Sequence, residues 1–242
     1  MQGETKQIAG NEQSEGIIRV TDVMTLEQAV EMAQDSVRLT TIVVGAGVYQ
    51  ITDRNTNQIT HLHIPSAMNI VGDPYVSRDQ IVIEGGVTFT IGIENCRLQH
   101  LTLRGGGNGV TAWSPFTMED VLVEQCQYHG IRAFGRHAVG RCTDVEVHEC
   151  EYSGVEVDDS AKITLVGDTR VYDNCRGDEQ AYGLNVFRSP ANILFESPLT
   201  KEQVSSNNDG GRNWSPSLVA GGQPGGQPTG QTWQGVERLL RF

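Results

Sequence analysis

Aromatic side chains are scarce, at 6% of 242 residues, and so are cations, with 18 Lys and Arg against 30 Asp and Glu. The formal charge of −12 repels phosphate backbones and anionic lipid, so neither nucleic acid nor a membrane surface is an expected partner. No apolar run reaches the length a membrane-spanning helix needs. The opening MQGETKQIAGNEQSEG lacks the apolar stretch of a secretion signal, which leaves the compartment open and only slightly favours an intracellular one. The 5 cysteines include no CxxC pair, which removes the usual zinc-site spacing. The run GGGNG (105–109) lies between strand patterns and leads into no helix, so it is a turn and not a phosphate cradle.

What is present is repetition. DVLVEQCQYHGIRA (120–133) returns as DVEVHECEYSGVEV (144–157). A short apolar-x-apolar pattern recurs as IVIEGG (81–86), LTLRGG (101–106), VLVEQC (121–126), VEVHEC (145–150) and, weakly, RVYDNC (170–175). A second pattern, led by glycine, recurs as GVTA (109–112), GIRA (130–133), GVEV (154–157) and GLNV (183–186). Period-two alternation broken by Gly, Asn, Asp and Ser predicts short strands. Units of this length with two or three strands fit one rung of a parallel β-helix, and like residues then stack at the strand spacing. Cys126, Cys150 and Cys175, spaced by 24 and 25, are expected to form a ladder of reduced, buried thiols. With 38% hydrophobic residues and 28 glycines, the core is expected to be thin and elongated.

Ahead of the rungs, TLEQAVEMAQDS (25–36) reads as an amphipathic helix. Thr25 and Gln28 stand at capping-box spacing, and Leu26, Ala29, Val30 and Ala33 share one face. TIVVGAGVYQI (41–51) follows. Through the rungs and this helix–strand start, residues 17–200 resemble the right-handed parallel β-helix proteins of the pectate lyase-like superfamily. The resemblance implies an all-β, right-handed parallel β-helix (a solenoid) whose N-terminal helix covers the open end of the stack. The expected organisation is a polar arm over 1–16, a β-helix over 17–202 with its helix at about 25–36, and a flexible Gly/Pro/Gln-rich tail over 203–242. For the closing GVERLLRF (235–242) three readings stay open: a return to the last rung, docking on another protein, or disorder.

In the glycine-led strands the apolar residues point inward, and the residues between them point out. One outward row is Thr111, Arg132, Glu156, Asn185; the next is Trp113, Phe134, Asp158, Phe187, followed by Arg188. Aromatic rings along one face suit a sugar-binding or protein-binding surface, so Trp113, Phe134, Asp158, Phe187 and Arg188 are the candidate binding residues. The insertion RGDEQAY (176–182) is expected to wall that row. On the other repeated strand, Arg104, Glu124, His148 and Tyr172 face outward, with Glu124 and His148 within mutual reach.

The polygalacturonase-like members of the superfamily carry acid motifs beside the glycine-led strands. Here only His129-Gly130 matches them, and Asp158-Asp159 lies at the far end of its strand. Candidate catalytic residues are therefore Arg132, Glu156, Asp158, Asp159 and His129. No metal or cofactor is expected; Asp158 and Asp159 are the residues that the resemblance to pectate lyases would offer to calcium. His61 and His63 share a strand face without a third ligand. The favoured reading is a non-catalytic binding or scaffold module presenting an aromatic and acidic face to a protein or carbohydrate partner. The alternative is a polysaccharide-active enzyme, a lyase, epimerase or hydrolase, acting on uronic-acid-type glycans.

Overall fold

The computed structural model describes residues 16–20, 25–35, 40–94, 96–188 and 192–218. The chain winds into a parallel β-solenoid of about six turns. Three parallel ladders run along it. The first joins β1 (Gly16–Arg19), β2 (Thr40–Val44), β5 (Met68–Gly72), the starts of β7 (Cys96–Ala112) and β8 (Phe116–Glu124), β10 (Val139–Thr143), β13 (Lys162–Val166) and β16 (Asn192–Phe195). The second joins β3 (Gly47–Gln50), the start of β6 (Ile81–Phe89), later parts of β7 and β8, β11 (Glu146–His148), β14 (Arg170–Tyr172) and β17 (Ser205–Ser206). The third joins β4 (His61–Ile64), the ends of β6 and β7, β9 (Ile131–Phe134), β12 (Val155–Asp158) and β15 (Leu184–Val186).

The alternation expected of the repeats sets the core. Leu62, Val87, Val110, Ile131, Val155 and Leu184 occupy one register place on successive third-ladder strands, and all are buried. Leu103, Val123, Val147 and Val171 do the same on the second. Corners between ladders use left-handed backbone at matching places. His100, Asp120 and Asp144 turn from the first ladder to the second, and Gln125, Glu149 and Asp173 from the second to the third. A short polar side chain such as Asp tolerates that conformation well, and Asp fills three of these six corners.

The helix α1 (Leu26–Gln34) carries the expected capping box, with both Thr25–Gln28 bonds formed. Its apolar face, Leu26, Ala29, Val30 and Ala33, is buried against β1 and β2.

Two expectations about order along the chain are corrected. The solenoid does not stop at residue 202. Helix α2 (Lys201–Val204) leads into β17, Trp214 bridges to Leu184, and Leu218 is buried. The polar composition of 203–218 hid this because its Asn and Ser side chains satisfy backbone groups. Asn208 Nδ2 donates to the carbonyls of Val171 and Ser206, and its Oδ1 accepts from the Asn174 amide. The rest of the expected tail, with segment 235–242, and the arm up to residue 15 lie outside the described residues.

The thiol ladder is also shorter than expected. Cys126 and Cys150 are adjacent and buried, but His148 pairs with Tyr172, so the next place belongs to Asn174 and not Cys175. Asn174 Oδ1 accepts from the Cys150 amide at 3.1 Å, and Asn208 repeats the arrangement one turn on. Thiols thus hand over to a ladder of buried amides. All five cysteines are buried and unbonded. Burial pushes the Cys142 thiol up to about 12.

Candidate functional site on the third outer face

Register places the predicted outward rows as a connected surface. Thr88, Thr111, Arg132, Glu156 and Asn185 sit side by side on successive strands, and Phe134 pairs with Asp158 in the next row. Trp113 and Phe134 stack with centroids 4.6 Å apart and planes 13° from parallel. That separation matches the strand spacing, so the rings pile along the solenoid axis. The Arg132 guanidinium lies over Phe134, 4.3 Å from its centroid. Trp113 is 42% exposed and Phe187 57% exposed. Within the row, Trp113 and Phe187 are the open members, whereas Arg132 lies over Phe134 and Asp158 is buried. Phe187 stands apart from the stack and is met by Arg188, 5.3 Å from its centroid.

The acidic residues behave differently from the rings. Glu156 and Asp158 are buried, at 4% and 2% exposure. Glu156 Oε1 lies 2.8 Å from Arg132 Nε, and its Oε2 accepts from Asn185 Nδ2 at 2.9 Å. Asp158 is held by Arg188, with Nε 3.0 Å from Oδ1 and an η nitrogen donating to Oδ2 at 3.1 Å. Burial raises the Glu156 pKa, against the pull of Arg132 and Asn185. His129 is buried beside this group, its Nε2 3.7 Å from Glu156 Oε1 and its Nδ1 without a partner. Burial, helped by the Arg132 charge, lowers His129 to about 3, so the ring is neutral at physiological pH.

The candidate catalytic residues are therefore brought together in part. His129, Arg132 and Glu156 form one cluster; Asp158 is engaged by Arg188, and Asp159 is exposed at the turn with φ 48. The two aspartates diverge, and among the described residues no group of three His, Cys, Asp or Glu side chains is placed to hold a metal ion. The insertion 176–182 does not wall the aromatic row. It lies on the entry side of β15, tied by Arg212 to the carbonyls of Cys175, Asp178 and Glu179, whereas the row follows the exit of each strand.

On the second outer face, Arg104 Nε donates to Glu124 Oε1 at 2.6 Å, and His148 Nε2 lies 3.6 Å from Glu124 Oε2. His148 stacks on Tyr172, and Tyr172 donates to Glu146, which also receives Arg78. Burial and the Glu146 carboxylate push the Tyr172 phenol up. Sequence reasoning missed the clasp at the neighbouring corner. His100 places Nδ1 2.5 Å from Asp120 Oδ2 and Nε2 2.7 Å from the Val76 carbonyl, while Arg78 takes Asp120 Oδ1. It also missed Asn108, whose Oδ1 accepts from the His129 amide and whose Nδ2 donates to Thr111. The only trace of these in the sequence is their place at corners, where polar residues are commonplace.

No protein-family model, curated protein or solved structure matches the chain.

Proposed function

We propose that this chain is a non-catalytic binding or scaffold module that presents its third outer face to a protein or carbohydrate partner. We read the solenoid as a right-handed parallel β-helix of the pectate lyase-like kind, with α1 as its N-terminal cap. The observation that carries the function is the pairing of exposed Trp113 with Phe134 in an ordered stack, braced by Arg132. Exposed aromatic surface costs solubility, and a stack held in register is already organised for a partner. The acidic side chains nearby are engaged by the protein's own arginines, so they support the face more than they offer reactive groups. With the net charge of −12, nucleic acid and membrane are not among the proposed partners.

One observation favours the alternative, a lyase, epimerase or hydrolase acting on uronic-acid glycans. A carboxyl raised by burial beside an imidazole lowered by burial is a pair suited to acid–base chemistry. The two readings separate on one experiment. The protein is immobilised and challenged with a glycan array and a cell extract, and in parallel incubated with uronic-acid polymers with and without calcium. The binding reading expects capture that depends on Trp113 and no new reducing or unsaturated ends. Product formation that vanishes in Glu156→Gln establishes the enzyme instead.

A further inference from the structure

The stack on the third face has one closed end and one open end. Phe134 covers one side of the Trp113 indole. On the preceding strand, Phe89 pairs with Ala112, so the place beside Trp113 falls to Thr90. Threonine is too short to cover an indole, and Trp113 keeps 42% of its surface exposed. In the adjacent outward row stand Thr88 and Thr111, paired across the two strands. Their hydroxyls are oriented from behind: Thr88 Oγ1 is 2.9 Å from His61 Nδ1, and Thr111 Oγ1 accepts from Asn108 Nδ2 at 3.1 Å. A hydroxyl with one bond made retains capacity for another.

The charge around this notch is as informative as its shape. The two arginines of the face are engaged by Glu156 and Asp158. His129 is neutral, and burial lowers His61 as well, with the His63 charge adding to it. The residues that the register sets beside Trp113 on its open side, Thr88, Thr90 and Thr111, carry no charge. A polyuronate would meet a chain of net charge −12, and the cation beside Thr111, Arg132, is already engaged by Glu156. A pyranose with unmodified hydroxyls meets what it needs: a flat apolar ring for its C–H face and fixed hydroxyls for its edge.

We propose that the notch formed by Trp113 over Thr90, flanked by Thr88 and Thr111, is a subsite for a neutral sugar ring. This rests on reading the third face as a binding surface and names its occupant. The test is calorimetric titration of the full chain with neutral hexasaccharides (cello-, xylo-, malto- and manno-oligosaccharides) and with oligogalacturonate of the same length. At least one neutral oligosaccharide binds and oligogalacturonate does not. Trp113→Ala weakens that binding about tenfold or more. Thr90→Tyr keeps the indole, fills the notch from a half-exposed position and abolishes binding, which separates loss of the site from loss of the fold. Oligogalacturonate bound through Trp113 overturns the neutral-sugar assignment while leaving a binding surface. Neutral-sugar binding that survives both substitutions, or no sugar bound at all, overturns the subsite; protein capture lost in Trp113→Ala then identifies a protein partner for the same face.

Discussion

On the second outer face Arg104, Glu124 and His148 stand on successive strands, as Arg132, Glu156 and Asn185 do on the third. The ingredients match and the environments do not. The Arg104 side chain is 36% exposed, and its partner Glu124, though buried at 7%, meets among the described residues only Arg104 and the edge of His148. On the third face Glu156 is slightly deeper, at 4%, and shares its surroundings with a buried imidazole, a buried Asn185 amide and exposed rings. The difference comes from what flanks each strand. Glycine leads the third-ladder strands and lets neighbouring backbone and side chains close in, and aromatic rings occupy two of the three places in the row beyond Trp113. A charged row becomes part of a site only where its neighbours take water away from it.

The sharpest way to break this contrast is at the leading glycines. A Cβ on Gly130 would meet the Val147 side chain and stand 2.6 Å from the Gly154 carbonyl. Gly130→Ala is expected to cost about 3 kcal/mol by forcing backbone apart, measured by urea unfolding. Gly105 turns the second corner with φ +69 and nothing near its absent Cβ. Gly105→Asn is expected to cost under about 1 kcal/mol, since Asn tolerates that conformation as Gln125 and Asp173 do at the same corner.

The carboxylates give the next comparison. Glu156→Ala leaves Arg132 and Asn185 without their partner in a buried setting and is expected to lose about 3 kcal/mol. Glu124→Ala leaves Arg104 free to turn to water and is expected to lose about 1 kcal/mol. Equal losses would mean that the two faces are energetically alike.

Acidity probes the same difference through the histidines. His129 is held neutral, to about 3, whereas an unfolded histidine takes its proton near 6.5. Stability from this group is full above pH 6.5 and is lost as pH falls toward 3, because only the unfolded chain gains the proton. The expected loss is about 2 kcal/mol between pH 7 and pH 5, and it disappears in His129→Gln. Glu156, raised by burial, acts in the opposite sense, favouring folding below the ordinary carboxyl range and losing that contribution as pH rises through its folded value.

The smallest effect is expected at His100. Burial works against its proton, but the Asp120 and Val76 acceptors outweigh burial and raise its pKa. Because both acceptors need a donor, only the doubly protonated ring serves Asp120 and the Val76 carbonyl together, and loss of one proton weakens its hold on the segment around Val76. Its contribution is present below pH 6.5 and fades as pH rises through the raised value. Hydrogen exchange at Val76–Gln80, corrected for intrinsic rates, is expected to speed up at pH 9 relative to pH 6 in the native chain and to show no such change in His100→Gln.

The frame was legible because repetition writes it many times over. Val121, Val123, Cys126 and Gly130 recur in place, and the third-ladder register follows from them. The outward rows, including the Trp113–Phe134 neighbours, follow from the same alternation. What was not legible depends on single residues that occur once. Asn174 displaces Cys175 from the thiol ladder because the rung gains a residue there, and no period announces it. The order of 203–218 comes from the side-chain amides of Asn208 and Asn213 satisfying backbone, which composition cannot separate from a loose polar tail. Burial of Glu156 and Asp158 depends on Arg132 and Arg188 folding back over them, and alternation alone gives only the outward direction.

The most direct measurement compares capture from a glycan array and a cell extract by the native chain, by Trp113→Ala on the third face and by His148→Ala on the second. The expected result is a bound partner that Trp113→Ala loses and His148→Ala keeps. A partner lost in His148→Ala but retained in Trp113→Ala would contradict the assignment of function to the third face.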